Sequence, residues 1–146
     1  MAAQTVAPSA AGVHIYSNAI ISRGQVGEAG TIGKVMYLKA ADGKWWLADN
    51  SALATADAKA ILLTPGPAAD DYAVLLKKGG FDPGENLDTN FGAGDTLYVE
   101  DDGDMGNYES LANGEYVTKV GSITVTAAGT SRIEVNFDAT GIVKAA

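Results

Sequence analysis

The sequence predicts an all-β fold, a jelly-roll-like sandwich or barrel with one short helix and an extended N-terminal arm. Three observations lead there. The 146-residue chain carries 18 glycines, well above the ordinary share of about 7%, and many of them sit between short apolar runs, where tight turns between strands belong. Several runs alternate apolar and polar residues at period two. The cleanest is 132–137, with Ile133, Val135 and Phe137 on one face and Arg132, Glu134 and Asn136 on the other. Heptads, βαβ alternation and internal repeats are all missing from the pattern. About nine or ten short strands at turn-rich spacing suit a sandwich, jelly roll or barrel.

In chain order, residues 1–12 are small and nearly uncharged, and Pro8 interrupts them. They read as an arm suited to docking on a neighbour. Residues 13–146 then form a single β-rich domain, the natural expectation at this length. Strands are expected at 13–16 and 19–22. Gly24, Gly27, Gly30 and Gly33 follow at a spacing of three. No Lys-Ser/Thr pair succeeds them, so they read as loop and turn glycines and not as a phosphate loop. Val35–Lys39 is a strand, Asp42-Gly43 a hairpin turn, and Lys44–Leu47 the return strand. Ser51 is placed to cap an alanine-rich helix over 52–59. Strands follow at 61–63 and 72–77, the second ended by Gly79-Gly80. A long connection occupies 81–95. Thr96–Val99 is a strand that runs into the acidic stretch Glu100-Asp101-Asp102-Gly103-Asp104. Residues 115–120, 122–126 and 132–137 complete the set.

Charge and composition exclude several functions. Net charge is −8 with only 10 Lys and Arg. Nucleic acids and anionic membranes both repel such a chain, so neither is expected as a partner. There is no cysteine, which rules out disulfides, thiolate metal sites and thiol nucleophiles. No apolar run approaches the ~18 residues of a membrane span. The first dozen residues lack Lys, Arg and a sustained apolar core, so they do not read as a signal peptide.

Candidate chemistry is sparse. Asp101, Asp102 and Asp104, with Asn107 and Glu109 close by, begin like a calcium loop. Glycine falls at the fifth place of that loop, however, and Asn113 stands where a bidentate glutamate belongs. A solvated acidic hairpin tip is the simpler reading. His14 is the only histidine, and no G-x-S-x-G elbow accompanies it, so no catalytic triad is expected. Eighteen acidic residues yield carboxylate pairs by chance, which carries no weight for glycoside hydrolysis. Trp45 and Trp46, with Tyr37 and Tyr98, could stack on sugar rings or anchor a protein interface. Neighbours on a strand face opposite ways, so the two tryptophans divide between a core and another surface. The sequence implies no enzyme and no cofactor.

The order of these pieces carries a resemblance. Gly-Lys-Val-Met-Tyr-Leu enters a strand, then Ala-Asp-Gly-Lys-Trp-Trp-Leu-Ala-Asp forms a hairpin. An alanine-rich segment leads to Ile61-Leu62-Leu63. Later Gly94-Asp95-Thr96-Leu97-Tyr98-Val99 precedes Gly114-Glu115-Tyr116-Val117-Thr118-Lys119-Val120-Gly121. Over residues 24–137 this resembles the head decoration, or capsid cement, proteins of tailed bacteriophages. The acidic insert at 101–109 and the longer arm depart from the family's usual text.

The resemblance implies a β-rich body on the outer surface of the virion, assembled in the host cytoplasm. It implies binding across seams of the major capsid protein, as a homo-oligomer, dimer or trimer, without catalysis. Val6, Pro8 and Val13 would then dock the arm. Tyr37 with Trp45 or Trp46 would anchor the interface. Deleting residues 2–12 is expected to weaken attachment and leave the isolated fold intact. The alternative is a head-fibre or tail-associated protein that binds a host surface glycan through an exposed tryptophan.

Overall fold

A computed structural model describes residues 2–145. Its ten strands are β1 (Val13–Ile15), β2 (Ile20–Gln25), β3 (Val35–Lys39), β4 (Lys44–Leu47), β5 (Ala58–Leu62), β6 (Tyr72–Pro83), β7 (Thr96–Val99), β8 (Met105–Gly106), β9 (Tyr116–Val125) and β10 (Arg132–Val143). One four-residue helix, α1 (Leu53–Ala56), and three short 3-10 turns complete the regular structure. The all-β expectation holds. The main path of the sheet runs β4-β3-β5-β6-β10-β9-β7-β8, and β1 and β2 both pair with β6.

β6 organises the body. Its first half pairs with β2 on one side and β5 on the other. Its second half pairs with β1 and β10. The sequence expectation that Gly79-Gly80 ends this strand is overturned. Gly79 holds φ +103° inside the strand, and a Cβ there would lie 2.5 Å from the Asn18 carbonyl oxygen and 2.7 Å from Ala19 Cα. Glycine therefore lets the chain bend and the 18–19 backbone press in, so one strand changes partners without stopping.

The first half-sheet curls tightly. A parallel bridge joins Val26 to Trp45, and the Gly27 N–H donates to the Trp45 carbonyl at 2.8 Å. The end of β2 thereby meets β4, and five strands wrap a cluster of Val26, Met36, Trp45, Ala60, Leu62 and Leu75. The outward residues of that curl, Val35, Ile61 and Leu76, face the other half-sheet. There they pack with Phe81, Leu97, Ile123 and Ile133 in the larger core. Closure of this kind leaves β4 with little free edge, the usual remedy against unwanted strand pairing.

Other expectations need correction. The helix over 52–59 shrinks to α1, Ser51 does not cap it, and Ala52 occupies the cap position without a side-chain bond. Ala58 and Ala60 instead pair with Tyr37 and Met36 of β3. Alanine's helix preference, tenths of a kcal/mol per residue, yields to a ladder that buries both side chains. Gly24 lies in β2 and is not a loop residue. The segments 115–120 and 122–126 form one strand, β9.

The arm is extended, but it lies on its own body. Val6 is 2% exposed and belongs to the larger core. Its N–H donates to the Met105 carbonyl at 2.8 Å, and Thr5 bridges Gly106, so the arm adds a rung beside β8. Ala7 N–H donates to Glu85 at 2.8 Å, and Ser9 N–H to the Pro83 carbonyl at 2.8 Å. Met1 and Ala146, the outer residues of the expected arm and domain, lie outside the described residues.

Candidate functional site

The sequence-predicted residues separate into distinct places. Val6 cannot dock on a neighbour from where it sits, because its side chain fills its own core. Pro8 is half-buried and packs against Gly33, and Val13 packs at the margin of the larger core. The three therefore fasten the arm to the body. Val6 is enclosed by its own core, while Pro8 and Val13 keep part of their surface open.

The tryptophan pair divides as alternation requires. Trp45 is 5% exposed inside the barrel-like half. Trp46 pairs with Tyr37 across the β3–β4 hairpin and is half-buried on the outside of the curl. Its indole N–H donates to Asp42 Oδ2 at 3.1 Å, Lys39 Nζ lies 4.6 Å from its ring centroid, and its other flank meets Gly27. The Lys44 backbone N–H and then the indole N–H hold the Asp42 carboxyl below its ordinary range. Trp46 is thus engaged on several sides by its own chain.

The acidic stretch forms a 3-10 turn over Asp101–Gly103, with Asp102 at φ +53°. Asp104 pairs with Lys34. Burial, and next the carboxylate of Glu115, push the Asp101 carboxyl up. Among the described residues no three His, Asp or Glu side chains are placed to hold a metal ion. Asp101, Asp102 and Asp104 therefore do not converge as a calcium loop. His14 Nδ1 lies 3.1 Å from the Gly12 carbonyl, and Nε2 lies 3.8 Å from Asp82 Oδ2. Asp82 itself is buried and accepts from the Gly84 N–H at 2.7 Å.

Two surfaces escaped sequence reasoning. The first is an open recess of about 310 Å³ between α1 and the ends of β9 and β10, walled by Leu53, Ala56, Tyr116, Thr118 and Ala139. Leu53 is 56% exposed at its rim, and Ile142 at 65% follows the lining residue Gly141. An irregular stretch between Ala139 and Val143 breaks the β9–β10 register there. The Thr140 hydroxyl donates to the Val117 carbonyl at 2.6 Å and accepts from the Ile142 N–H at 3.2 Å. That local bonding turns an aliphatic side chain outward at the cost of regular pairing. The exposed residues lie on α1 and β10, far apart in sequence, so no single window of sequence marks the patch.

The second is a polar cleft of about 300 Å³ at the β7–β8 end, lined by Asp95, Thr96, Tyr98, Asn107, Tyr108 and Glu109. The Tyr98 and Tyr108 rings meet edge to face, with centroids 5.5 Å apart and planes 68° apart. Lys144 Nζ sits 4.7 Å from the Tyr108 centroid and donates to the carbonyls of Tyr108 and Leu111. Burial first, then Tyr108 and the Glu109 carboxylate, raise the Tyr98 phenol, so it remains a neutral donor across the working range of pH. Asn107 is held by the arm: its Oδ1 accepts from Gln4 N–H at 3.0 Å, and its Nδ2 donates to the Ala2 carbonyl at 2.9 Å.

No helix among the described residues is long and apolar enough to cross a membrane. No protein-family model matches the chain, and no curated protein or solved structure matches it at a significant level.

Proposed function

We propose that this chain is a structural virion protein that binds the outer surface of a tailed-phage capsid and cements adjacent major capsid subunits. The observation that supports this reading is the apolar recess lined by Leu53 and Gly141, with the exposed Ile142 next in the chain. Large aliphatic side chains exposed around a concave surface are characteristic of protein-binding sites. The strand phrases that resemble those of capsid cement proteins add to it. So does the net charge of −8, which suits an outer surface and opposes contact with packaged DNA.

The mechanism is stabilisation by binding. A clamp that recognises the assembled, expanded lattice favours that state over loosened ones. Each copy buries a modest patch, and repetition over the shell, with homo-oligomer formation as dimer or trimer, multiplies the effect. In this reading Val6 of the arm completes the core, and the recess is the docking surface.

The test is co-sedimentation of purified protein with expanded capsids that lack it. Leu53→Asp with Ile142→Asp should abolish binding. Both side chains are surface-exposed, so the fold should keep its stability to within about 0.5 kcal/mol per site. Capsid binding unchanged in the double variant would overturn the recess as the docking surface.

A further inference from the structure

We infer that the Tyr98–Tyr108 cleft is a binding site for a neutral saccharide, a function independent of capsid attachment. The cleft has the three features that sugar recognition needs. Two aromatic rings stand at 68° to each other. A pyranose presents a C–H face that packs on an aromatic surface, and a second ring at a steep angle closes the side. Tyrosine suits this because it offers a rigid apolar body with a polar tip. Tyr108 is 41% exposed, so part of its ring is open to a ligand.

The polar groups around the rings are mostly acceptors. The Asp95 carboxylate lines the cleft and accepts from the Gly92 N–H at 2.8 Å. The Glu109 carboxylate lies on the opposite chain segment. A carboxylate receives two hydroxyl donors from a vicinal diol, as it receives two donors from other forked groups. Thr96 and the phenols add groups that both donate and accept. The volume, about 300 Å³, stands at the small end of the usual range of small-molecule pockets, about 300–1,000 Å³. It admits a terminal sugar ring, with the rest of a chain outside.

Charge sets the specificity. Asp95 and Glu109 line the cleft of a chain with net charge −8, so acidic sugars such as sialic acid are repelled. The Lys144 ammonium is turned away from this task by its two carbonyl bonds and its place on the Tyr108 ring. The arm supports the site: Gln4 and Ala2 pin Asn107, the residue before Tyr108.

Saturation-transfer NMR and calorimetry would test this with maltose, cellobiose and N,N′-diacetylchitobiose against 3′-sialyllactose. At least one neutral disaccharide should bind with a Kd near the millimolar range, and sialyllactose should bind measurably more weakly. Tyr108→Ala should weaken binding about tenfold, the worth of one aromatic contact, with melting temperature close to that of the parent. Glu109→Gln should narrow the gap between neutral and acidic sugars. No binding of any neutral sugar at tens of millimolar, roughly 2–3 kcal/mol of affinity, would overturn the inference. Binding that survives Tyr108→Ala would place it elsewhere and overturn it equally. The Leu53→Asp, Ile142→Asp protein should bind sugar as the parent does, so failure here and failure of capsid docking are separate results.

Discussion

Replacing Val6 by alanine tests whether the arm belongs to the core. Val6 is 2% exposed and packs in the larger apolar cluster. The substitution removes two buried methyl groups, at about 0.8 kcal/mol each, so roughly 1.6 kcal/mol of transfer free energy is lost. Incomplete collapse of the void raises this toward about 2 kcal/mol or slightly more. The backbone bond from Val6 N–H to Met105 is unaffected, so the loss isolates packing. In urea the midpoint should fall with an unchanged slope. On heating, a chain of this length should lose about 4–8 °C for 2 kcal/mol. Deleting residues 2–12 should cost more, because it also strips the rung beside β8 and the tether on Asn107. A free arm predicts the opposite: Val6→Ala within about 0.5 kcal/mol of the parent and an undisturbed fold after deletion. Either result would refute the packing argument.

Gly79→Ala should destabilise by at least about 2 kcal/mol, through a left-handed φ and a clash with backbone atoms that cannot rotate away. A loss under about 0.5 kcal/mol in denaturant unfolding would mean that β6 does not bend there. Glu100 supplies a pH test. Burial, more than any other cause, raises its carboxyl above the ordinary value of 4.5, while the Thr5 hydroxyl partly offsets this. The native state therefore holds a proton that the unfolded chain has released, and stability falls as pH rises from about that value through the native titration. Glu100→Gln should remove that slope and melt higher than the parent at neutral pH. The two proteins should converge as pH drops below the ordinary glutamate range, and a gap that widens on acidification would contradict the sign.

The strands most legible in the sequence are those whose own residues decide their state. β3, β4 and β7 appear with the expected bounds, because β-branched and aromatic runs flanked by a turn glycine leave few alternatives. The split of Trp45 from Trp46 follows from alternation alone. What stayed hidden depends on distant partners. Gly79-Gly80 carries the local signal of a strand end, yet the pressure of residues 18–19 and the pairing with β10 make it a bend within a longer strand. Residues 58–60 carry a helix signal, and pairing with β3 overrides it. The arm's composition suits docking on a neighbour, and only the packing around Val6 shows that its own body holds it.

The candidate surfaces were less legible still. Tyr98 stands out in the sequence by its aromatic ring within a strand, but Tyr108 lies ten residues on, in a 3-10 turn that no periodicity marks. Their meeting depends on the β7–β8 pairing of Tyr98 with Gly106. Leu53 reads as an ordinary helix residue, and Ile142 as the tail of an unrelated strand. Only the approach of α1 to β9 makes the recess that Leu53 lines and that ends at Gly141, the residue before Ile142.

Quantitative mass spectrometry of purified virions that encode this chain, measured against the major capsid protein, tests the cement reading most directly. A shell-covering cement predicts abundance close to that of the major capsid protein. A few copies per particle, or none, would contradict it.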